Sequence, residues 1–263
     1  MKKIKIGAVL FLLITLTALC APLLSPHLYH ETHLAIKNTA PSTLFLFGTD
    51  ELGRDLFVRI CFGVRISLLI SLAASGIDLI IGLTYGTLAA LSGRRIQILL
   101  GRLLEILATV PNLLLATFLT ILFGCGIRTI IIALSITGWI GMARMVRAHI
   151  WQLQTEEFMI AATSLGASRP HLLRYHLLPH LFDSILVTVS LTIPSSIFAE
   201  AFLSFLGLGV QAPLASLGSM ANEGIVSLRY YPWRFFFPAG TIYLLILSLN
   251  LLADGLQERR ERC

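Results

Sequence analysis

Hydrophobic residues run through this chain in long blocks, not in the short alternations of a soluble globule, and polar or Pro/Gly-rich breaks set the block boundaries. Blocks of about 20 apolar residues fall at Ile4 to Leu24, Ile66 to Leu91, Leu103 to Cys125, Thr129 to Val146, Leu181 to Leu206 and Phe235 to Leu256. A helix of that length crosses a hydrocarbon core of about 30 Å. It also satisfies its own backbone polar groups where no water can reach them. The pattern predicts an all-α polytopic membrane protein of about six transmembrane helices. The first block, after Met1-Lys2-Lys3-Ile4-Lys5, is long for a signal peptide and is expected to be retained as a helix.

Composition sharpens this picture. Of 263 residues, 56% are hydrophobic and 13% charged, with a mean hydropathy of +0.83. That leaves too little polar surface to cover a water-soluble fold. The net charge of +6 matters mainly through its placement. With the N-terminus inside, 13 of the 20 Lys and Arg residues are cytoplasmic: Lys2, Lys3, Lys5, Arg94, Arg95, Arg102, Arg144, Arg147, Arg169, Arg174, Arg259, Arg260 and Arg262. The positive-inside rule therefore favours cytoplasmic termini at both ends. The expected organisation is a first helix with an extracytoplasmic segment at 1–65, a permease core at 66–257 containing an inner loop at 147–180, and a cytoplasmic tail at 258–263. Cys20, Cys61, Cys125 and Cys263 lie far apart and are expected to be apolar fillers.

Several polar residues interrupt the blocks: Asp78, Glu105, Pro111, Pro194, Glu200, Asn250 and Asp254. An acid at mid-membrane costs about 2.5 to 3.5 kcal/mol, so Asp78 and Glu200 are candidates for a transport pathway or for helix packing. His27, His30 and His33 carry imidazoles suited to nickel, but only Glu31 offers a further ligand nearby, and no metal site is assigned. The chain lacks GxxxxGK[ST], and its lysines are Lys2, Lys3, Lys5 and Lys37 alone. It therefore cannot cradle a nucleotide by that route. HExxH and GxSxG are absent too, so no enzymatic activity and no cofactor is expected. No pattern for nucleic-acid binding is present.

Two polar segments carry the most information. The inner one starts at Glu156-Glu157 and continues through Ala161, Ala162, Leu165 and Gly166 at three-to-four-residue spacing, predicting a helix with a face of small side chains. Gly166 suits a left-handed terminus and Pro170 a stop, after which His171 to Leu178 is expected to form a second short helix before Pro179. In the outer segment, Gly48-Thr49-Asp50-Glu51-Leu52-Gly53-Arg54-Asp55, Thr49 is expected to cap a helix begun by Asp50 and Glu51. The pairs Asp50/Arg54 and Asp55/Arg59 have the favourable acid-first order.

The inner segment resembles the EAA motif of binding-protein-dependent ABC importer permeases, with Ala161, Ala162, Gly166, Leu178 and Pro179 on the motif positions. Ile160 replaces the usual Glu, and His176 the usual Ile. The outer segment resembles the GTDxxGRD signature of C-type permeases of dipeptide, oligopeptide and nickel importers, and Glu200 to Gly209 resembles their EAxLSFLGLG run. Leu217 stands where such permeases carry Trp. The resemblance covers nearly the whole chain and implies a type I, MetI-like ABC importer permease fold in a bacterial inner membrane. It implies as partners a B-type sister permease, two ABC ATPase subunits and an extracytoplasmic substrate-binding protein. Glu157, Ala161, Ala162, Gly166, Leu178 and Pro179 would then couple to the ATPase. Gly48, Thr49, Asp50, Gly53, Arg54 and Asp55 would brace the outer mouth. Di- or oligopeptides are the expected cargo, with nickel or another small solute as the alternative. A proton-coupled secondary transporter using the intramembrane acids is the rival class.

Overall fold

The computed structural model describes residues 2–260; Met1 and, from the expected tail, Glu261, Arg262 and Cys263 lie outside the described residues. The helices in order are α1 (Lys2–Leu24), α2 (Leu56–Leu91), α3 (Arg94–Leu107), α4 (Asn112–Phe123), α5 (Ile127–Gln154), α6 (Glu157–Ser164), α7 (Arg169–Leu172), α8 (Leu178–Phe205), α9 (Leu217–Ile225) and α10 (Trp233–Arg260). Among the described residues there is no strand, only an isolated bridge between Thr49 and Asp55. Five helical stretches are long and apolar enough to cross a membrane: α1, α2, α5, the α7–α8 run and α10.

The expected third span, Leu103 to Cys125, is broken. α3 and α4 meet at a bend of 75°, because Pro111 disfavours helical geometry at Val110 and cannot continue the hydrogen-bond ladder. The 12 residues of α4 span only about 18 Å, short of a bilayer core. α3 is amphipathic: Gly101 and Leu104 are buried while Arg94, Arg95 and Arg102 are exposed. Glu105 is exposed as well and pairs with Arg102 at 3.7 Å.

α2 starts at Leu56, well before the expected Ile66, and its 36 residues extend for about 54 Å. Two arginines that read as loop charges belong to this helix. Arg59 is buried in an ion-pair cluster described below. Arg65 reaches α1, donating from Nε to the Ala18 carbonyl at 2.7 Å and from Nη2 to the Leu19 carbonyl at 2.8 Å. Pro22, four residues beyond Ala18 within α1, has no N–H, so it leaves the Ala18 carbonyl without its helical donor. Arg65 supplies the missing one.

Close helix contacts rely on small residues, as in membrane bundles generally. On α2, Gly82 and Gly86 form a small-xxx-small pair against α5; a Cβ at Gly82 would come 2.5 Å from the Met142 Cβ, and one at Gly86 2.7 Å from the Ala143 carbonyl. Gly7 of α1 similarly admits the Ser248 carbonyl of α10. α5 extends past the expected Val146 to Gln154 because the Arg147 guanidinium folds over the Trp151 ring, 4.2 Å from its centroid, and interrupts nothing.

Candidate functional site

The inner segment forms α6 followed by a tight turn. The N–H of Gly166 donates to the Thr163 carbonyl at 3.0 Å and that of Ala167 to the Ala162 carbonyl at 3.1 Å, the bond pair of a Schellman cap. Gly166 holds φ +82 as that cap requires. The same device closes α8, where Gly207 at φ +81 and Leu208 bond back to Ser204 and Leu203.

Pro179 does not end a second short helix as expected. α7 passes through a π-turn, Leu173–Leu177, directly into α8. The Leu178 N–H bonds back to the Leu173 carbonyl, five residues away, and this widened turn accommodates a proline that can neither donate nor fit over the carbonyl of Tyr175. The expected helix-turn-helix is thus one free short helix leaning on the base of a long one. Its inner side is anchored: Met159 is buried with Leu172, Leu177, Leu181, Val146 and Ile150, Ala162 packs at the edge of that cluster, and the Phe158 ring stacks on His180 at 4.8 Å. Its outer side is open. Glu157, Ala161, Gly166 and Pro179 are exposed, as are Ile160 at 56% and Leu165 at 89%, and Leu178 is half-buried.

The outer segment is not a helix, and Thr49 caps nothing. Thr49 donates to the Ile36 carbonyl at 2.6 Å and accepts from the Thr39 N–H at 2.8 Å. Asp55 is the residue that caps α2, accepting from the N–H groups of Phe57 at 2.9 Å and Val58 at 3.4 Å. Between them the chain turns tightly. Gly53, at φ +74, lies so close to His33 that any Cβ would strike the His33 carbonyl. Asp50 gathers this turn: its Oδ1 accepts from the N–H groups of Leu52 and Arg54, both at 2.9 Å, and its Oδ2 accepts from Arg54 Nε at 2.6 Å and pairs with Arg59. Arg59 also reaches Glu223 of α9 at 3.1 Å. Arg59 therefore serves Asp50 and Glu223, not Asp55, whose side chain faces His27 Nδ1 at 3.5 Å. A second clamp ties Arg234 of α10 to Glu51 at 3.0 Å and to Asn38 at 3.1 Å.

Asp50 and Arg59 are buried, each 2% exposed, whereas Glu223 is half-buried and Glu51 exposed. Burial pushes the Asp50 carboxyl up, but Arg59, the Arg54 N–H and the Arg54 charge together outweigh it and hold the group below the usual carboxylate range. At Asp55 burial wins over the two cap hydrogen bonds and raises the group. α9 and Glu223 escaped the sequence reading because nine residues are too few for a visible apolar block; the signal was the Ser216/Ser219 capping box.

His27, His30 and His33 diverge: His27 meets Asp55 and Phe45, His30 packs on Tyr29, and His33 pairs with Glu31 at 3.2 Å. No cluster of three metal-ligating side chains occurs among the described residues. The two intramembrane candidates also separate. Glu200 is fully buried and satisfied, accepting from Ser67 of α2 at 2.7 Å and from Ser204 at 2.8 Å, so it links α2 to α8. Asp78 lines a cavity of about 300 Å³ among α2, α4, α5 and α8.

Residues 82–262 match the family described as "Binding-protein-dependent transport system inner membrane component". The chain is 47% identical over 253 residues to an oligopeptide transport system permease protein of Bacillus subtilis, covering 96% of this chain and 83% of that protein. It is 45% identical to a dipeptide transport system permease protein of the same organism, covering 96% and 79%. Among solved structures, an inward-facing MetNI methionine ABC transporter is similar at TM-score 0.60 and 17% identity, covering 73% of this chain and 91% of that one. An amino acid ABC transporter is similar at TM-score 0.59 and 20% identity, covering 76% and 93%. These last two likenesses are of fold.

Proposed function

Because the chain belongs to the binding-protein-dependent transport system inner membrane components, a family of multi-pass permeases served by separate ATPase and substrate-binding subunits, we propose that it forms half of the translocation path of an ATP-driven importer of di- or oligopeptides. The observation that carries the cargo assignment is the identity, along almost all of its length, to a permease protein named for oligopeptide transport. Its sister in the membrane is a B-type permease, and two ATPases sit below the pair with both termini of this chain on their side.

In this reading α6 is the lever. Support for it lies in the contrast between its faces: Ile160 and Leu165 expose apolar surface on a cytoplasmic helix, which favours cover by another protein. Beneath them Met159 is packed against the feet of α5 and α8. A push on Glu157, Ala161 or the Gly166 turn is thereby handed to two long helices, which can rock between outward- and inward-open states. Leu178 and Pro179 sit where the lever meets α8. On the outer side, the segment from Gly48 to Asp55 braces the mouth by holding the loop onto α2, α9 and α10, which gives the delivery protein a rigid seat.

The test is uptake by proteoliposomes holding the complete transporter. Import of a labelled oligopeptide is expected to require internal ATP and the delivery protein and to survive collapse of the proton gradient. Uptake that follows the gradient, with no ATPase co-purifying, would assign the chain to secondary transport instead. Import of nickel but not peptide would reassign the cargo alone.

A further inference from the structure

The cavity beside Asp78 has a chemistry that the coupling and bracing segments do not use. Asp78 is 3% exposed, yet its Oδ1 has no hydrogen-bond partner, and no ion pair among the described residues includes it. A buried carboxylate left this way is costly and stands ready for a donor. Room for it is made by Gly138 of α5, where any Cβ would strike the carboxylate.

The rest of the lining is mostly apolar, and its polar side chains besides Asp78 are Asn112, Thr137, Thr192, Ser195 and Ser196. Thr192 Oγ1 already donates to the Val189 carbonyl at 2.9 Å and Ser195 Oγ to the Leu191 carbonyl at 3.0 Å. Both hydroxyls line the cavity, and each has spent its single proton on its own helix, leaving lone pairs. Thr137 Oγ1, on the same wall, has no partner. An unpartnered carboxylate in one cavity with the free lone pairs of Thr192 and Ser195 suits a ligand group with several donors, the inventory of a primary ammonium. The volume, about 300 Å³, has room for an ammonium head group.

We propose that Asp78, with Thr137, Thr192 and Ser195, forms a subsite in the membrane interior that takes the N-terminal ammonium of a peptide in transit. This rests on the peptide-import reading above.

The test adds a tripeptide with a free N-terminus, or its N-acetylated counterpart, directly to the purified complete transporter and records infrared difference spectra. The free-amine peptide is expected to shift a carboxyl band that Asp78→Asn removes, and the acetylated one to leave that band still. An unchanged band with both peptides, as when a cation of the sister permease already fills the site, or the same change with both, overturns the proposal. Transport gives an independent reading at saturating delivery protein. Asp78→Asn is expected to lower the maximal rate for the free-amine peptide about tenfold, the loss that one charge-assisted hydrogen bond carries, with most of it regained in Asp78→Glu. A wild-type transporter that imports peptide while Asp78→Asn keeps its full rate sinks the subsite alone. One that imports no peptide sinks both readings.

Discussion

Asp50 shows how little of a charge's role its spacing reveals. The acid-first intervals to Arg54 and from Asp55 to Arg59 read as helical surface pairs, each worth only about 0.3 to 0.5 kcal/mol. Folded, Asp50 instead sits among backbone donors and two arginines, and the completing partner, Glu223, is far along the chain. No local periodicity announces a contact of that range. Breaking a buried pair from one side costs about 3 to 5 kcal/mol, so Asp50→Asn is expected to lower the thermal midpoint of the solubilised protein markedly; an unchanged midpoint would contradict the cluster's role. The pH dependence has a definite sign. Asp50 is held below its ordinary value, so its contribution is complete above the ordinary carboxylate range and fades as pH falls through the lowered one. Asp55 is raised, so it acts in the opposite sense, its cost easing once acid protonates it. Asp50→Asn is therefore expected to flatten the acid limb of the stability profile. Arg65 makes a separate residue-level claim. Arg65→Ala strands the carbonyl that Pro22 has freed and is expected to cost about 1 to 3 kcal/mol, read as a lower midpoint that Pro22→Ala partly restores.

Among elements, the long apolar blocks were legible, since lipid permits few alternatives to a helix. α1, α5, α8 and α10 lie where the hydrophobic pattern put them, within a few residues except for the extended end of α5. Breaks were legible only in part. Pro111 was visible, yet the pattern cannot distinguish a kink within a span from a turn into a flat amphipathic helix, because both keep apolar residues flowing. Pro179 misled for the opposite reason: a proline reads as a stop unless the chain before it can widen into a π-turn. Gly166 was correctly read as a left-handed terminus. Among the described residues other than its two chain neighbours, no heavy atom lies within 4 Å of where its Cβ would be, so a methyl group there meets open space. Gly166→Ala therefore bears only the backbone strain, about 1 to 2 kcal/mol. Gly166→Trp is expected to abolish ATP-driven uptake while membrane insertion stays normal, because the indole would project from the face proposed to dock on the ATPase. Wild-type uptake by the Trp variant would move the docking face elsewhere.

For the whole molecule, fold and family were both written into the chain, the first in its apolar blocks and the second in the motifs at Gly48 to Asp55, Glu157 to Pro179 and Glu200 to Gly209. Packing was less accessible. Gly82 and Gly86 announce a close helix contact through their spacing, but nothing local names Met142 and Ala143 as the partners. Likewise Asp78 and Glu200 look alike in sequence, and only the fold shows one satisfied by serines and the other facing a cavity. Met159 joins α6 by packing to the feet of α5 and α8, the path along which the proposed lever would act. The most direct measurement is a cysteine cross-link from Ala161→Cys to the ATPase subunit in the complete transporter, with sidedness read by an impermeant thiol reagent. A lever driven from below predicts labelling from the cytoplasmic side only, a cross-link to the ATPase, and loss of uptake that returns on reduction. Labelling from the outer side, or a cross-link formed without any effect on uptake, would contradict it.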